Sequence, residues 1–146
     1  MLIKIRAAEA KDYDAWLKLW KGYLKFYGSS LDKAITLSTW HKVLSLDSGV
    51  LCRLAETEQK VVGFAMCVLH EGTWVIEPVC YLEDLFVDEE LRGNGAGKAL
   101  IEAIRDEARE KSWSKVYWVT RESNPARALY DRLAELDDFV RYTIKI

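Results

Sequence analysis

Apolar and polar residues alternate from the start of the chain, where Leu2-Ile3-Lys4-Ile5-Arg6 reads as a strand. Past Asp12, a candidate cap, the period changes. Trp16, Leu19, Trp20, Tyr23, Leu24, Phe26 and Tyr27 fall near one helical face, an unusually aromatic one. Gly28-Ser29-Ser30 stops that helix, and residues 31–46 read as a second one carrying Ile35, Trp40, Val43 and Leu44. Two strand-like runs, 50–56 and 61–69, flank the polar turn Thr57-Glu58-Gln59-Lys60 and predict a hairpin. His70-Glu71-Gly72-Thr73 interrupts the pattern before Val79-Cys80-Tyr81-Leu82 resumes a strand that runs on to Val87. Residues 96–111 form a one-sided helix through Ala99, Leu100, Ala103, Ile104 and Ala108, and 116–119 a buried strand. Ser123 or Asn124 can cap a last helix that opens with Pro125. The closing run 139–146 alternates like a strand. Interleaved strands and helices, with no linker or repeat, predict one α/β domain over 1–146, a mixed sheet, mostly antiparallel, with helices on both faces.

Composition narrows the class. Half of the 146 residues are apolar and 30% are charged, which is a globular balance. The formal net charge of −2, with both signs mixed along the chain, argues against nucleic acid as a partner. No run approaches the ~18 apolar residues of a membrane span, and Met1-Leu2-Ile3-Lys4 opens a strand rather than a signal peptide. Cys52, Cys67 and Cys80 each lie in an apolar run and read as core thiols of a cytoplasmic protein. No metal is expected, since neither the cysteine spacing nor His41 and His70 provide a ligand pair. His70, beside the chemistry described next, reads as a solvated loop histidine more readily than as a base.

The candidate chemistry lies in residues 82–98. A strand carrying Glu83 and Asp84 runs through an acidic turn into Arg92, Gly93, Gly95, Gly97 and Lys98, and then into a helix. Glycines ahead of a helix N-terminus make an anion cradle from backbone N–H groups. The spacing is not that of a P-loop: Gly93 stands three residues before Gly97-Lys98, and Ala99 replaces the hydroxyl that would hold magnesium. It is not a dinucleotide fingerprint either, because Lys98 occupies the third glycine position.

Arg92-Gly93-Asn94-Gly95-Ala96-Gly97, after Tyr81-Leu82-Glu83-Asp84-Leu85-Phe86-Val87, resembles motif A (Arg/Gln-x-x-Gly-x-Gly/Ala) of the GCN5-related N-acetyltransferases, GNAT. The strand run is closest in appearance to the diamine and polyamine branch. The aromatic first helix looks like the yeast histone/polyamine-type enzymes and their bacterial relatives. The resemblance implies the GNAT fold, with six to seven strands. It implies acetyl-CoA as co-substrate, its pyrophosphate on Gly93, Asn94, Gly95, Ala96, Gly97 and Lys98 beside Arg92, and its acetyl and pantetheine groups against Leu85, Phe86 and Val87. Residues 121–130 resemble motif B, in which an Asn contacts the cofactor and a Tyr reaches its sulfur. Those roles carry over to Asn124, with Arg127 beside it, and to Tyr130. The family spacing is commonly one residue longer, so Ser123 is an alternative for the Asn position. Many members are homodimers built through the last strand and the helices, and the same is expected of this chain.

The implied reaction is acetyl transfer to a primary amine, by direct attack in a ternary complex. An alkylammonium has a pKa of about 10 and must lose a proton first. Glu83 is the candidate base, the Leu85 N–H the candidate oxyanion donor, and Tyr130 the acid for the departing thiolate. Strand alternation lets only one of Glu83 and Asp84 face the site, and the reading favours Glu83. Tyr23, Phe26, Tyr27 and Asp84 are candidate contacts to the acceptor, which the sequence leaves open between polyamine, amino acid and a lysine-bearing peptide. Two other readings stand beside this one: an acetyl-cysteine route through Cys80, and a non-catalytic acyl-CoA sensor on the same fold.

Overall fold

The computed structural model describes residues 2–146, so Met1 of the expected first strand lies outside them. The order is β1 (Lys4–Ala7), α1 (Tyr13–Phe26), α2 (Lys33–Leu44), β2 (Val50–Thr57), β3 (Lys60–His70), β4 (Val79–Val87), α3 (Ala96–Glu110), β5 (Lys115–Tyr117) and α4 (Arg127–Leu133). Strands follow one another across the sheet in chain order. Pairing is antiparallel from β1 to β4, and β5 lies parallel to β4 because α3 carries the chain back over one face. The β2–β3 hairpin turns on Glu58 and Gln59, both with positive φ (51° and 65°), the two-residue geometry that matches strand twist.

Each face of the sheet buries its own core. Beneath α1 and α2 lie Trp16, Trp20, Trp40, Leu54, Phe64, Met66 and Phe86, with the Trp16 ring stacked 4.8 Å from Trp40 and 5.2 Å from Trp20. Beneath α3 lie Ala55, Val62, Cys67, Cys80, Leu82, Val87, Leu100 and Ile104. All three cysteines are buried, as their apolar surroundings in the sequence implied. Asp12 does not cap α1 with its side chain; it accepts two bonds from Arg6 (2.8 Å each) and one from the Glu9 N–H. That ion pair fastens the start of α1 to β1. No helix among the described residues is long and apolar enough to cross a membrane.

Two expectations are corrected. Among the described residues the sheet has five strands rather than six to seven. The missing strand is the closing run: residues 139–146 form no strand, and Phe139, Tyr142 and Ile144 are 84%, 92% and 87% exposed. Alternation makes a segment able to be a strand, but only a neighbouring edge can supply its hydrogen bonds. β5 is also shorter than read, ending at Tyr117.

Candidate functional site

The site is built around β4. Met66 of β3 faces Asp84, but the next residue, Cys67, faces Leu82, so Glu83 has no partner and forms a β-bulge. Leu82, Leu85 and Val87 pack on the α3 side, while Phe86 packs under α1 and Asp84 accepts a 2.7 Å hydrogen bond from the Tyr23 hydroxyl of α1. The bulge therefore repeats one side of the strand, and Glu83 joins Asp84 on the α1 face. This corrects the expectation that alternation admits only one of them. Glu83 is the exposed member of the pair and Asp84 the half-buried one. Burial pushes the Asp84 carboxyl up to about 6; the Tyr23 hydroxyl opposes that rise, and the Glu83 charge adds to it. Tyr23 is raised as well, by burial first and then by the charge of Asp84.

The outer edge of β4 is open. Pairing with β5 covers only Val79, Cys80 and Tyr81. Across the Gly63–Val87 pair, the Asp88 N–H donates to the Val62 carbonyl, which marks that pair as non-hydrogen-bonded. Two residues back, Leu85 has the same status, so the N–H and C=O groups of Leu85 and Val87 point to the open side. One of the four is engaged: Arg92 Nε donates to the Val87 carbonyl at 3.1 Å. The side chains of Leu85, Phe86 and Val87 lie in the two cores, so a ligand meets their backbone edge.

Past β4, Asp88 caps a short turn by accepting the Glu90 N–H, and the chain enters the glycine loop. Gly93 and Gly95 have φ of 87° and 85°, a region in which a side chain is strained. A Cβ on either would meet nothing within 4 Å, so the loop faces open space; Gly97, by contrast, packs on Val87 and Leu129. Among the described residues the first N–H to donate back along α3 is that of Ala99, to Gly95, with none donated from Gly93 to Lys98. Those free donors stand at the positive end of a 15-residue helix. An open glycine loop in line with an open strand edge fits a long ligand that carries amides at one end and phosphate at the other.

The side chains of Asn124, Arg127 and Tyr130 are each engaged within the protein. Asn124 Oδ1 accepts the Ala126 N–H (2.9 Å) and Nδ2 donates to Thr120 (2.8 Å), so Asn124, not Ser123, shapes the turn into α4. Arg127 folds back onto the Glu122 carbonyl at 2.8 Å. Tyr130 is half-buried edge-on to Trp118 at 5.5 Å, and burial, then Tyr27, raises its hydroxyl. Tyr27 stacks edge-on with Tyr23 and lies 5.3 Å from the Arg121 guanidinium, so the end of α1 reaches from the Asp84 carboxylate to the segment that leads into α4.

Sequence reasoning missed a second aromatic wall. Tyr81 and Tyr117 are register partners on β4 and β5, stacked at 4.9 Å and 14°. The Tyr117 hydroxyl lies 3.0 Å from His70 Nε2, while His70 Nδ1 is 2.7 Å from the Glu71 carbonyl. A carbonyl only accepts, so Nδ1 carries the proton and Nε2 accepts from Tyr117 in the neutral ring. Both tyrosines are raised by burial first and by the Glu83 charge second. Only the pairing of β4 with β5 brings these residues together, and no local pattern announces it.

With this geometry in view, residues 13–134 match the model of the acetyltransferase (GNAT) family. The chain is 36% identical over 143 residues to the D-amino-acid N-acetyltransferase HPA3 of Saccharomyces cerevisiae, covering 96% of this chain and 89% of the yeast protein. It is 26% identical over 147 residues to the uncharacterized N-acetyltransferase YhfO of Bacillus subtilis, covering 99% and 98%. Among solved structures, a ribosomal-protein-alanine N-acetyltransferase from Brucella melitensis biovar Abortus superposes with a TM-score of 0.83 over the whole of both chains at 23% identity. The structure of AAC(6')-Iy with a CoA-containing bisubstrate analog does so at 0.82 and 20%, also over the whole of both chains. The open strand edge, the glycine loop and these matches lead to one assignment: the chain belongs to the GNAT family and is an acetyltransferase.

Proposed function

We propose that this enzyme moves the acetyl group of acetyl-CoA to a primary amine by direct attack, with Asp84 rather than Glu83 as the group that takes the proton. The observation that carries this is the bulge at Glu83. It puts two carboxylates on the α1 face, beside a strand edge whose Leu85 N–H points outward. The Leu85 carbonyl and the Val87 N–H suit the amides of pantetheine, as an added strand would, and leave the Leu85 N–H for the oxyanion. The free N–H groups of Gly93 to Lys98 suit the pyrophosphate, with Asn124 and Arg127 holding the adjoining turn.

An ammonium is drawn to Glu83 and Asp84 and walled by Tyr23, Tyr81 and Tyr117. A carboxylate at a pKa of about 6 is ionised at neutral pH, yet it is a stronger base than a free aspartate. The deprotonated amine attacks the thioester carbonyl, the oxyanion lies at the Leu85 N–H, and the C–S bond breaks as the tetrahedral intermediate collapses, its nitrogen losing a second proton to solvent. Tyr130, its hydroxyl kept protonated by burial, donates to the departing thiolate. Cys80 is fully buried under α3, which disfavours an acetyl-cysteine route.

We place the enzyme in the cytoplasm, where its free thiols stay reduced. We also infer a homodimer, in which the exposed run 139–146 of each copy adds to an open sheet edge of the other. A thiol-release assay with acetyl-CoA tests the central reading, across D- and L-amino acids, polyamines, aminoglycosides and lysine-bearing peptides. Turnover of one class identifies the acceptor. CoA binding without turnover of any amine establishes the sensor reading instead.

A further inference from the structure

Arg92 stands at the first position of the glycine-loop motif, where it is expected to help hold the pyrophosphate. Its side chain is committed elsewhere. Nε donates to the outward carbonyl of Val87 at 3.1 Å. The guanidinium carbon lies 5.2 Å from the ring centroid of Phe86 on β4 and 5.2 Å from that of Phe26, the last residue of α1. A guanidinium holds two aromatic faces and one carbonyl together in a way an ammonium cannot, since it is planar and donates along fixed directions.

The place of this clamp matters. α1 approaches β4 so closely at Gly22 that a Cβ there would meet the Phe86 ring at 3.2 Å. The next residue, Tyr23, bonds Asp84, and the helix ends about one turn on at Phe26 with Tyr27 next. Gly28, with φ of 64°, then turns the chain away, and Phe26 itself is 47% exposed. Tyr23 and Leu24 tie the inner side of that last turn to the core, while the exposed Phe26 ring meets the strand edge through Arg92.

We infer that Arg92 is a positioning residue for the acceptor side. It pins the end of α1 to the strand edge, so that Tyr23 stays on Asp84 and Tyr27 stays on Tyr23, and it leaves the phosphate to the backbone of Gly93 to Lys98. The inference rests on the acetyltransferase reading above, and its test separates the two. Calorimetry with CoA and thiol release with the best amine of the panel are compared for wild type, Arg92→Gln, Arg92→Lys and Phe26→Leu. Arg92→Gln is expected to keep the CoA Kd within about twofold while acceptor kcat/KM falls about tenfold. Arg92→Lys recovers little of that loss. Phe26→Leu reproduces it, and the double variant loses no more than either single, because the two side chains act as a unit. Hydrogen exchange reports the same effect without an acceptor: amides of residues 23–29 exchange faster in Arg92→Gln, while those of 14–20 do not. A CoA Kd weakened tenfold or more in Arg92→Gln, with acceptor KM unchanged, makes Arg92 a phosphate ligand and overturns the inference. Unchanged exchange in 23–29 overturns it equally. Failure of wild type to bind CoA removes the acetyl-CoA reading itself.

Discussion

The two faces of β4 share one backbone and do opposite work. Toward α3, Cys80, Leu82, Leu85 and Val87 meet Leu100 and Ile104 in a wholly apolar layer. Toward α1, Phe86 is followed outward by Asp84 and Glu83, with Tyr23, Tyr81 and Tyr117 around them. A regular strand would give each face one residue in two. The bulge gives the α1 face an extra carboxylate without moving an apolar residue off the α3 face. Stability and chemistry are thus separable on a single strand, and substitutions on the two sides should fail in different ways.

The largest effect is expected on the α3 side. Leu100 is fully buried, and Leu100→Ala should cost about 3–5 kcal/mol of stability, read from urea unfolding. The pH dependence of the surviving activity should not move; a displaced limb would mean that the two faces are coupled. Asp84→Asn is the mirror case. Loss of a positioned base should lower kcat by about 10²–10³ and remove the limb by which kcat/KM rises through a pH of about 6. Stability should move the other way. A carboxyl whose folded pKa is raised binds its proton more tightly when folded. It therefore stabilises most at low pH and loses that contribution as pH rises through about 6. At pH 8 the asparagine variant should be more stable than wild type, by up to roughly 3 kcal/mol. If Glu83→Gln erases the limb and Asp84→Asn leaves it, the assignment of the base reverses.

The same separation explains what could be read from the sequence. Helical and strand periods depend on which side is apolar, so α1, α3 and the β2–β3 hairpin are legible, as is the glycine loop, whose residues are adjacent in sequence. The bulge is not. Glu83 and Asp84 look like two steps of an alternating strand, and only the β3 register, which slips between Met66 and Cys67, shows that they share a face. Tyr117 and His70 are 47 residues apart and meet through strand pairing alone. The run 139–146 has the pattern of a strand, but a partner edge is a tertiary fact that no pattern contains.

Tyr130 tests how far the chemistry extends from β4. It belongs to α4, edge-on to Trp118. Tyr130→Phe keeps that packing and should lower kcat about tenfold, with CoA affinity unchanged by calorimetry. Full activity would take Tyr130 out of the mechanism and leave the whole reaction to the α1 face.

The smallest effect is expected from Tyr23→Phe, and it is the most pointed, because it leaves every carboxylate in place. The Tyr23 hydroxyl is the one influence that holds the Asp84 carboxyl down against burial and against Glu83. Without that bond the Asp84 pKa rises above about 6, so the acidic limb of kcat/KM should move to higher pH. At pH 8 to 9, where Asp84 is ionised in both proteins, the rates should nearly coincide. A limb that moves down, or a uniform loss at every pH, would show Tyr23 acting on the acceptor directly. The α1 face would then recognise its substrate through the helix rather than tune its base from it.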